Sequence, residues 1–598
     1  MLCFCERLGA IDKDVNRFIV RDYFIMSHSH LKSLANILTT VLLVLVGSGA
    51  MSATALFTVD QCPAFCDSAA STLLVSVPQQ WFGSSHVAAV QGSGECQVVS
   101  VDGVPLASDG SFTFADIAGN KSWVVKCADN KEYTMQFTYL PILQLEGDFG
   151  YDYANGTVIL AEPGQSASEL MTALVKWRGN TTNTPEKHKR NYSIKFVNAD
   201  GDKQSRKLLG MRRDNHWILD AGQADMARVR NRVATELWLD MSRPPYYYNQ
   251  APDVLTGVRG EMVEVFLGNE YRGIYALTEA MDRKQLQLVK HDTINNVFHG
   301  GLWKTDEFNP QTGFRYTVPF NDSLPDYCSF AVKYPELDEV FPTSYQVVYD
   351  AIHAMQVSGN ISAYNSLVDS HFDVPAIIDY TIFYITLSAN DNAVRNIYWF
   401  CYDRAVDQRL SPAVWDLDAS VGQTWSPVDW RPPLTAYDFF KYPYSWQFKM
   451  LFHNKCKYRQ AFLDRYDELR QSWLSEENLV NRYASAIDRL IDCGAASREE
   501  QRWNGDSDLF GHDLNFVEEK QYITDWLTRR LPLLDEWMHH HICDVNNDGV
   551  VTAADVTRLY KYILNGHEGG YGEHLDPNFD GVITASDITC IYDVLLGR

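Results

Sequence analysis

Two twelve-residue stretches near the C-terminus constrain this chain more than any other feature. "DVNNDGVVTAAD" (Asp544–Asp555) and "DPNFDGVITASD" (Asp576–Asp587) align over all twelve positions, 32 residues apart, and each runs into an amphipathic helical pattern. Positions 1, 3, 5, 9 and 12 are Asp, Asn, Asp, Thr and Asp in both, and Gly549 and Gly581 hold position 6. Oxygen donors at alternate positions, a glycine where the loop turns sharply and a backbone carbonyl at position 7 are what Ca²⁺ requires of a short loop. The pattern assigns Asp544, Asn546, Asp548, Val550, Thr552 and Asp555 to one calcium site. Asp576, Asn578, Asp580, Val582, Thr584 and Asp587 form the second, with Val550 and Val582 contributing their carbonyls.

A chain of 598 residues is too long for one core, so two to four domains are expected. Hydrophobic content of 46% with 21% charged residues describes a folded protein. The net charge of −24 excludes a general nucleic-acid binder, which needs a basic face to displace counterions. From Met26 a Lys32-bearing segment precedes the apolar run Ile37–Val46, and small residues follow. That order reads as a secretory signal peptide, too short for a comfortable bilayer span, and the mature chain is expected to lack a transmembrane segment. The protein is therefore expected to be secreted or cell-surface, where disulfides persist. Cys62 with Cys66 and Cys96 with Cys127 are the plausible local pairs, and Cys401, within an apolar strand, reads as a buried free thiol.

Residues 1–55 form the extension and signal segment. Residues 56–140 alternate apolar positions between Gly, Asn and Asp and predict a small β-sandwich-like accessory domain. From 141 to 540 a mixed strand-and-helix half gives way to a mainly helical one, an α+β pattern. "DMARVRNRVATELWLDMS" has helical spacing, "VEVFLGNEYRGIYALTEAMD" reads as a hairpin turning at Gly268-Asn269, and Asn396–Tyr402 and Ala413–Trp415 interrupt the helices as strands. Residues 541–598 carry the calcium repeat.

In "LSANDNAVRNIYWF" an apolar run ends in a knot of amides and carboxylates, with Asp391 five places before Asn396. That spacing lets a base face an acceptor hydroxyl while a carboxamide on the same loop holds a metal, as in protein-kinase catalytic loops. "WDLD" follows with Asp416 and Asp418 at a strand end, 25 residues past Asp391, where a kinase keeps its metal-binding aspartate. No H-R-D, G-x-G-x-x-G or Walker A motif is present and no D-F-G follows Asp391, and on spacing alone Asp and Asn at strand ends also serve as turn formers and caps.

The run "NDNAVRNIYWFCYD…LSPAVWDLDASVGQ" resembles the CotH kinase family of spore-coat-type atypical kinases. "VKWRGNTTNTPEKHKRNYSIKF", "HWILDAGQADMARVRNRVATELW", "VEVFLGNEYRGIYALTEAMDR" and "HFDVPAIIDYTIFY" resemble further blocks of that family, in the same order, over roughly residues 140–540. The resemblance implies a divergent two-lobed protein-kinase-like domain using ATP with Mg²⁺ or Mn²⁺. It implies that Asp391 is the catalytic base, that Asn396 and Asp416 are metal ligands, and that Asp418 is an additional or supporting ligand. Lys195 resembles the lysine that reaches the α/β-phosphates, with Glu236 or Glu279 as its orienting carboxylate; Arg178 and Lys189 join the phosphate contacts. This chain departs from the family pattern at Ala393-Val394-Arg395, at Val414 and at Gly268-Asn269. The C-terminal repeat, with Asp at position 12 and no entering helix, resembles a type I dockerin, a small helical EF-hand-like domain.

The implied activity is transfer of the ATP γ-phosphoryl group to Ser/Thr hydroxyls of an extracellular or surface protein. A cohesin-like or cell-surface partner would engage the dockerin-like module. Two competing readings are a non-catalytic surface or scaffold protein of the same fold and a glycoside hydrolase using Asp391 with Asp416 or Asp418. A hydrolase needs its carboxyls ~5–9.5 Å apart across a sugar groove. "MHHHI" (539–541 being its histidines) reads as a polar linker, and "RPPYYYNQ" (243–250) as a loop packing tyrosines on the core.

Overall fold

The computed structural model describes residues 55–597 apart from 94–95, 180–182, 315–318, 321–325, 337–344, 356–360, 427–429, 435–457, 510, 540–542, 547, 549, 567–574, 576 and 578–582. The signal segment, most of His539–His541 and half of the second calcium loop lie outside the described residues. All elements below belong to one unit, Phe57–Arg598.

Short alternating segments make β1 (Phe57–Val59), β2 (Cys62–Asp67), β3 (Thr72–Ser76), β4 (His86–Gly92), β5 (Val98–Val101), β6 (Val104–Pro105), β7 (Ser111–Phe114), β8 (Ser122–Cys127) and β9 (Glu132–Thr138). They pair in the order β6-β5-β8-β9-β3-β2-β1-β4-β7. The ribbon folds over on itself, because Phe114 at one edge packs edge-on to Trp123 and Phe137 with ring centres 5.4 and 5.1 Å away. Cys96 and Cys127 form a disulfide. Cys62 and Cys66 do not, which corrects the expected pairing. Four places apart on one extended strand, their Cα atoms are about 13 Å apart at ~3.3 Å per residue, well beyond disulfide reach.

The next strands are β10 (Ile142–Glu146), β11 (Ala154–Ala161), β12 (Met171–Arg178), β13 (Asn191–Phe196), the separate hairpin β14 (Arg206–Lys207) and β15 (Arg213–Asp214), β16 (His216–Asp220), β17 (Gly260–Leu267) and β18 (Glu270–Glu279). Those other than β14 and β15 close into a seven-stranded barrel, β10-β11-β12-β13-β16-β18-β17. Parallel pairing of Ile142–Leu145 with Glu264–Leu267 seals it. Val175, Tyr192, Ile194, Trp217 and Leu219 fill the interior. Alternation then turns Lys176, Arg178, Ser193, Lys195, His216 and Asp220 outward on three adjacent strands. At Gly273 (φ +87°) a side chain would be strained, and its Cβ would lie 1.9 Å from Glu499 Oε2, which would have to move.

A five-stranded sheet, β20-β21-β19-β22-β23, joins the helical half. Its strands are β19 (Gly301–Thr305), β20 (Asp326–Tyr327), β21 (Phe330–Tyr334), β22 (Ile397–Cys401) and β23 (Ser411–Val414). The helices are α1 (Arg230–Met241), α2 (Gln346–Met355), α3 (Ile361–His371), α4 (Val374–Leu387), α5 (Arg459–Arg470), α6 (Glu476–Asp492), α7 (Ala495–Trp503), α8 (Phe516–His539), α9 (Ala553–Leu564) and α10 (Ala585–Leu595). The fold is thus mixed α+β. Residues Ala376–Leu387 of α4 are all buried, which is why its sequence is an apolar run and not a stripe. Among the described residues no helix is long and apolar enough to cross a membrane. Tyr247 is buried, with its hydroxyl donating to Leu286 O at 2.7 Å, so "RPPYYYNQ" does pack on the core. Cys401 is a buried free thiol as expected.

Candidate active site

Register places the two motifs side by side. Ile397 pairs with Val414 across β22 and β23, so Asn396 and Trp415, the residues just beyond, leave the ladder at the same end. The loop before β22 is held from three sides. Tyr380 of α4 donates to Asn392 O (2.7 Å), Asn392 Nδ2 donates to Trp415 O (2.7 Å), and Asn396 N donates to Thr305 O (2.9 Å). Asn396 and Asp416 both adopt left-handed backbone, at φ 55° and 62°, as does Ser388 (52°) where α4 ends. Strained non-glycine backbone at both candidate metal ligands is the kind of feature that a surrounding structure must over-determine.

Within the loop, Asn396 Nδ2 donates to Asp391 Oδ2 at 2.8 Å. Asp391 Oδ1 is buried without a hydrogen bond, and Arg395 Nη1 stands 3.8 Å from it. Burial pushes the Asp391 carboxyl up to about 6; Asp416 pushes the same way, while Arg395, Lys304 and the Asn396 amide oppose. Asp416 is exposed, yet desolvation by the protein around it raises its carboxyl, with Asp220 adding repulsion against Lys304 and Arg178. Asp418 is raised well above the carboxylate range by desolvation and then by Asp416, Asp220, Asp225 and Asp391. Neither Asp416 nor Asp418 has a hydrogen bond or ion pair from its side chain among the described residues. Asp416 and Asp418, to which no side chain hydrogen-bonds among the described residues, together with an Asp391 oxygen that accepts no hydrogen bond and the Asn396 carboxamide oxygen, make a donor set that fits a divalent cation.

Three residues that sequence reading left unassigned belong here. Asn231, near the start of α1, donates to Asp220 Oδ2 (2.8 Å) and accepts from Leu417 N (3.1 Å), tying the end of β16 to the Asp416–Asp418 loop. Lys304 on β19 pairs with Asp306 (3.1 Å) and acts on both Asp391 and Asp416. Asp220 and Asn231 stand in the block "HWILDAGQADMARVRN"; a carboxylate closing a strand was the signal available there.

The outer barrel face meets this cluster at Arg178, whose guanidinium lies 5.4 Å from the Trp415 ring. Lys195, one strand over, lies 4.5 Å from the Tyr153 ring, opposite His216 in register. Desolvation, then Lys195 and Arg178, pushes His216 down to about 4. Lys195 makes no ion pair among the described residues, so neither candidate carboxylate orients it. Glu236 is 51% exposed and pairs with Arg232 of its own helix, while Glu279 is buried against Arg259 at 2.6 Å. Lys189 is not brought to the cluster either. It is buried, donating to Glu499 (2.7 Å) and Ile274 O (2.6 Å), and a phosphate cannot reach it without breaking that network.

In the C-terminal repeat, Asp544, Asp555 and Asp587 are buried. Asp548 N donates to Asp544 Oδ1 (3.1 Å) and Asn546 N to Asp555 Oδ1 (3.0 Å), closing the first loop around its acidic residues. Thr552 and Thr584 cap α9 and α10 reciprocally with Asp555 and Asp587. Asp576, Asn578, Asp580 and Val582 lie outside the described residues.

Fold and site together define an α+β protein with a carboxylate-amide cluster facing a basic barrel wall, followed by a small helical repeat. Residues 175–534, more than half of the chain, match the family described as CotH kinase protein, and the chain belongs to that family. Residues 542–596 match the family described as Dockerin type I domain, so a dockerin ends the matched region. No curated protein matches the chain.

Proposed function

We propose that this protein is a secreted or cell-surface atypical kinase that transfers the γ-phosphoryl group of ATP to Ser/Thr hydroxyls of an extracellular protein. The observation that carries this reading is the Asp391–Asn396 contact at 2.8 Å, on the same end of the β22–β23 ladder as Asp416. In this reading the barrel and the helical half act as two lobes of a divergent protein-kinase-like domain. Asp391 takes the acceptor proton, and its raised carboxyl suits a base working near neutral pH. Asn396, Asp416 and Asp418 would hold Mg²⁺ or Mn²⁺, which when bound neutralises charge on the nucleotide phosphates. Arg178 and Lys195 face the donor phosphates from the barrel wall. The dockerin loops take Ca²⁺ and present the helices to a cohesin-like or cell-surface partner.

Labelled ATP, Mn²⁺ and a mixed protein acceptor test the reading on the full chain beside Asp391→Ala and Asp416→Ala. Incorporation lost in both variants is the expected result. Nucleotide binding that depends on Asp416 without any incorporation would leave a binding-only relative. Absence of nucleotide binding would overturn the reading.

A further inference from the structure

Interior arginines of this protein commit donors to buried carboxylates and carbonyls, even where one nitrogen is left without a partner, as in Arg498. Arg498 holds Glu264 in two contacts of 2.8 and 2.9 Å, and Arg230 bonds Asp225, Glu519 and the carbonyl of Ser420. Arg395 differs. Its side chain is 22% exposed, its Nε is sealed from solvent with no acceptor, and its guanidinium makes no hydrogen bond among the described residues. Its neighbours are Asp391 Oδ1, 3.8 Å from Nη1 and beyond hydrogen-bond length, and the Phe308 ring, 5.6 Å away. A guanidinium with five donors whose anionic neighbour stands beyond hydrogen-bond length has donors to spare for a further oxyanion.

We infer that Arg395 is a catalytic residue of the proposed transfer, receiving the oxygens of the γ-phosphoryl group; this rests on the kinase reading above. The position decides the ligand. Asp391 must touch the hydroxyl that attacks phosphorus, so the phosphoryl group being transferred lies directly beyond that hydroxyl. A cation beside Asp391 and one residue before the metal-ligand candidate Asn396 is adjacent to it. As the acceptor oxygen bonds to phosphorus, the bond from phosphorus to the β-γ bridging oxygen breaks. The electron pair leaves with ADP, and the acceptor proton passes to Asp391. Arg395 stabilises the equatorial oxygens during that exchange, a place where charge is redistributed and an arginine is most effective.

Calorimetric titration of the full chain with ADP and with the non-hydrolysable analogue AMP-PNP, both with Mn²⁺, separates this role from others. Arg395→Met should weaken AMP-PNP by about tenfold or more, the effect of losing a charge-assisted contact, and leave ADP within twofold. The same variant should lower kcat on the order of 10²–10³-fold. Arg395→Lys should recover part of both losses and controls for folding. Equal weakening of ADP and AMP-PNP, or no change in either, would overturn the assignment while transfer by the wild type keeps the kinase reading. A loss seen only as a raised KM for acidic acceptors would also overturn it, placing Arg395 on the acceptor. If the wild type binds neither nucleotide, the kinase reading fails and this inference with it.

Discussion

Two sets of charges in this protein, one buried and one at the end of two strands, end in opposite states. Where α7 meets the barrel, Glu499 accepts from Lys189 Nζ (2.7 Å), Arg228 Nε (2.7 Å) and Ile274 N (2.8 Å). Burial alone would raise Glu499, yet Lys189 and Arg228 hold it below the usual carboxylate range. Burial draws Lys189 down to about 7 against the pull of Glu499. At the end of β22 and β23, by contrast, Asp391, Asp416 and Asp418 are raised, first by desolvation and then by neighbouring carboxylates, with Asp220 repelling both Asp416 and Asp418. Charges that hold elements together are matched within the fold; those at the end of β22 and β23 are matched only in part, which on the kinase reading proposed above leaves them for a ligand.

The largest effect should come from breaking the matched set. Glu499→Gln leaves two buried cations short of an anion and should cost about 3–5 kcal/mol of stability, read by denaturant unfolding. Nearly as large, but on rate, Asp391→Ala should lower transfer on the order of 10²–10⁴-fold without loss of stability, read by steady-state kinetics and a melt. A melt that fell sharply would place Asp391 with the structural charges. Third comes pH. Asp391 is raised from 3.8 to about 6, so its contribution is complete below pH 3.8 and is lost as pH rises through 6. Relative to Asp391→Asn, the metal-free wild type should therefore lose roughly 2–3 kcal/mol across that window. Calcium removal extends the comparison to Asp544, Asn546, Asp548 and Asp555, and chelation should melt α9 and α10 while the remaining circular dichroism persists. Smallest of all, Glu236→Gln breaks only a half-exposed pair on one helix and should change stability by less than about 0.5 kcal/mol and transfer not at all.

Local chemistry was legible in the sequence. The Gly268-Asn269 hairpin and strands β22 and β23 follow from local pattern, whereas the helix α4 and the grouping of Asp391, Asn396 and Asp416 rest on the resemblance to the CotH family, since spacing alone also fits turn formers and caps. What depended on distant partners was not. Barrel closure needs β10 to find β17 more than a hundred residues later, and no pattern in either strand announces it. Lys189 lies in a segment that resembles a phosphate contact, yet its partner Glu499 sits 310 residues away. Asp220 and Asn231 meet the Asp416 loop across 186 residues between Asn231 and Leu417, a juxtaposition that only tertiary folding creates. Cys62 and Cys66 looked close in sequence, and the extended strand between them keeps them apart.

The most direct test of the contrast is a calorimetric melt of Asp416→Asn beside the wild type, with and without Mn²⁺ and AMP-PNP. If the cleft carboxylates are held apart for a ligand, the substitution raises the melting temperature of the ligand-free protein and removes the rise that the metal-nucleotide pair produces in the wild type. A lower ligand-free melting temperature with an undiminished metal-nucleotide rise would contradict the account, placing Asp416 among the charges that hold the fold together.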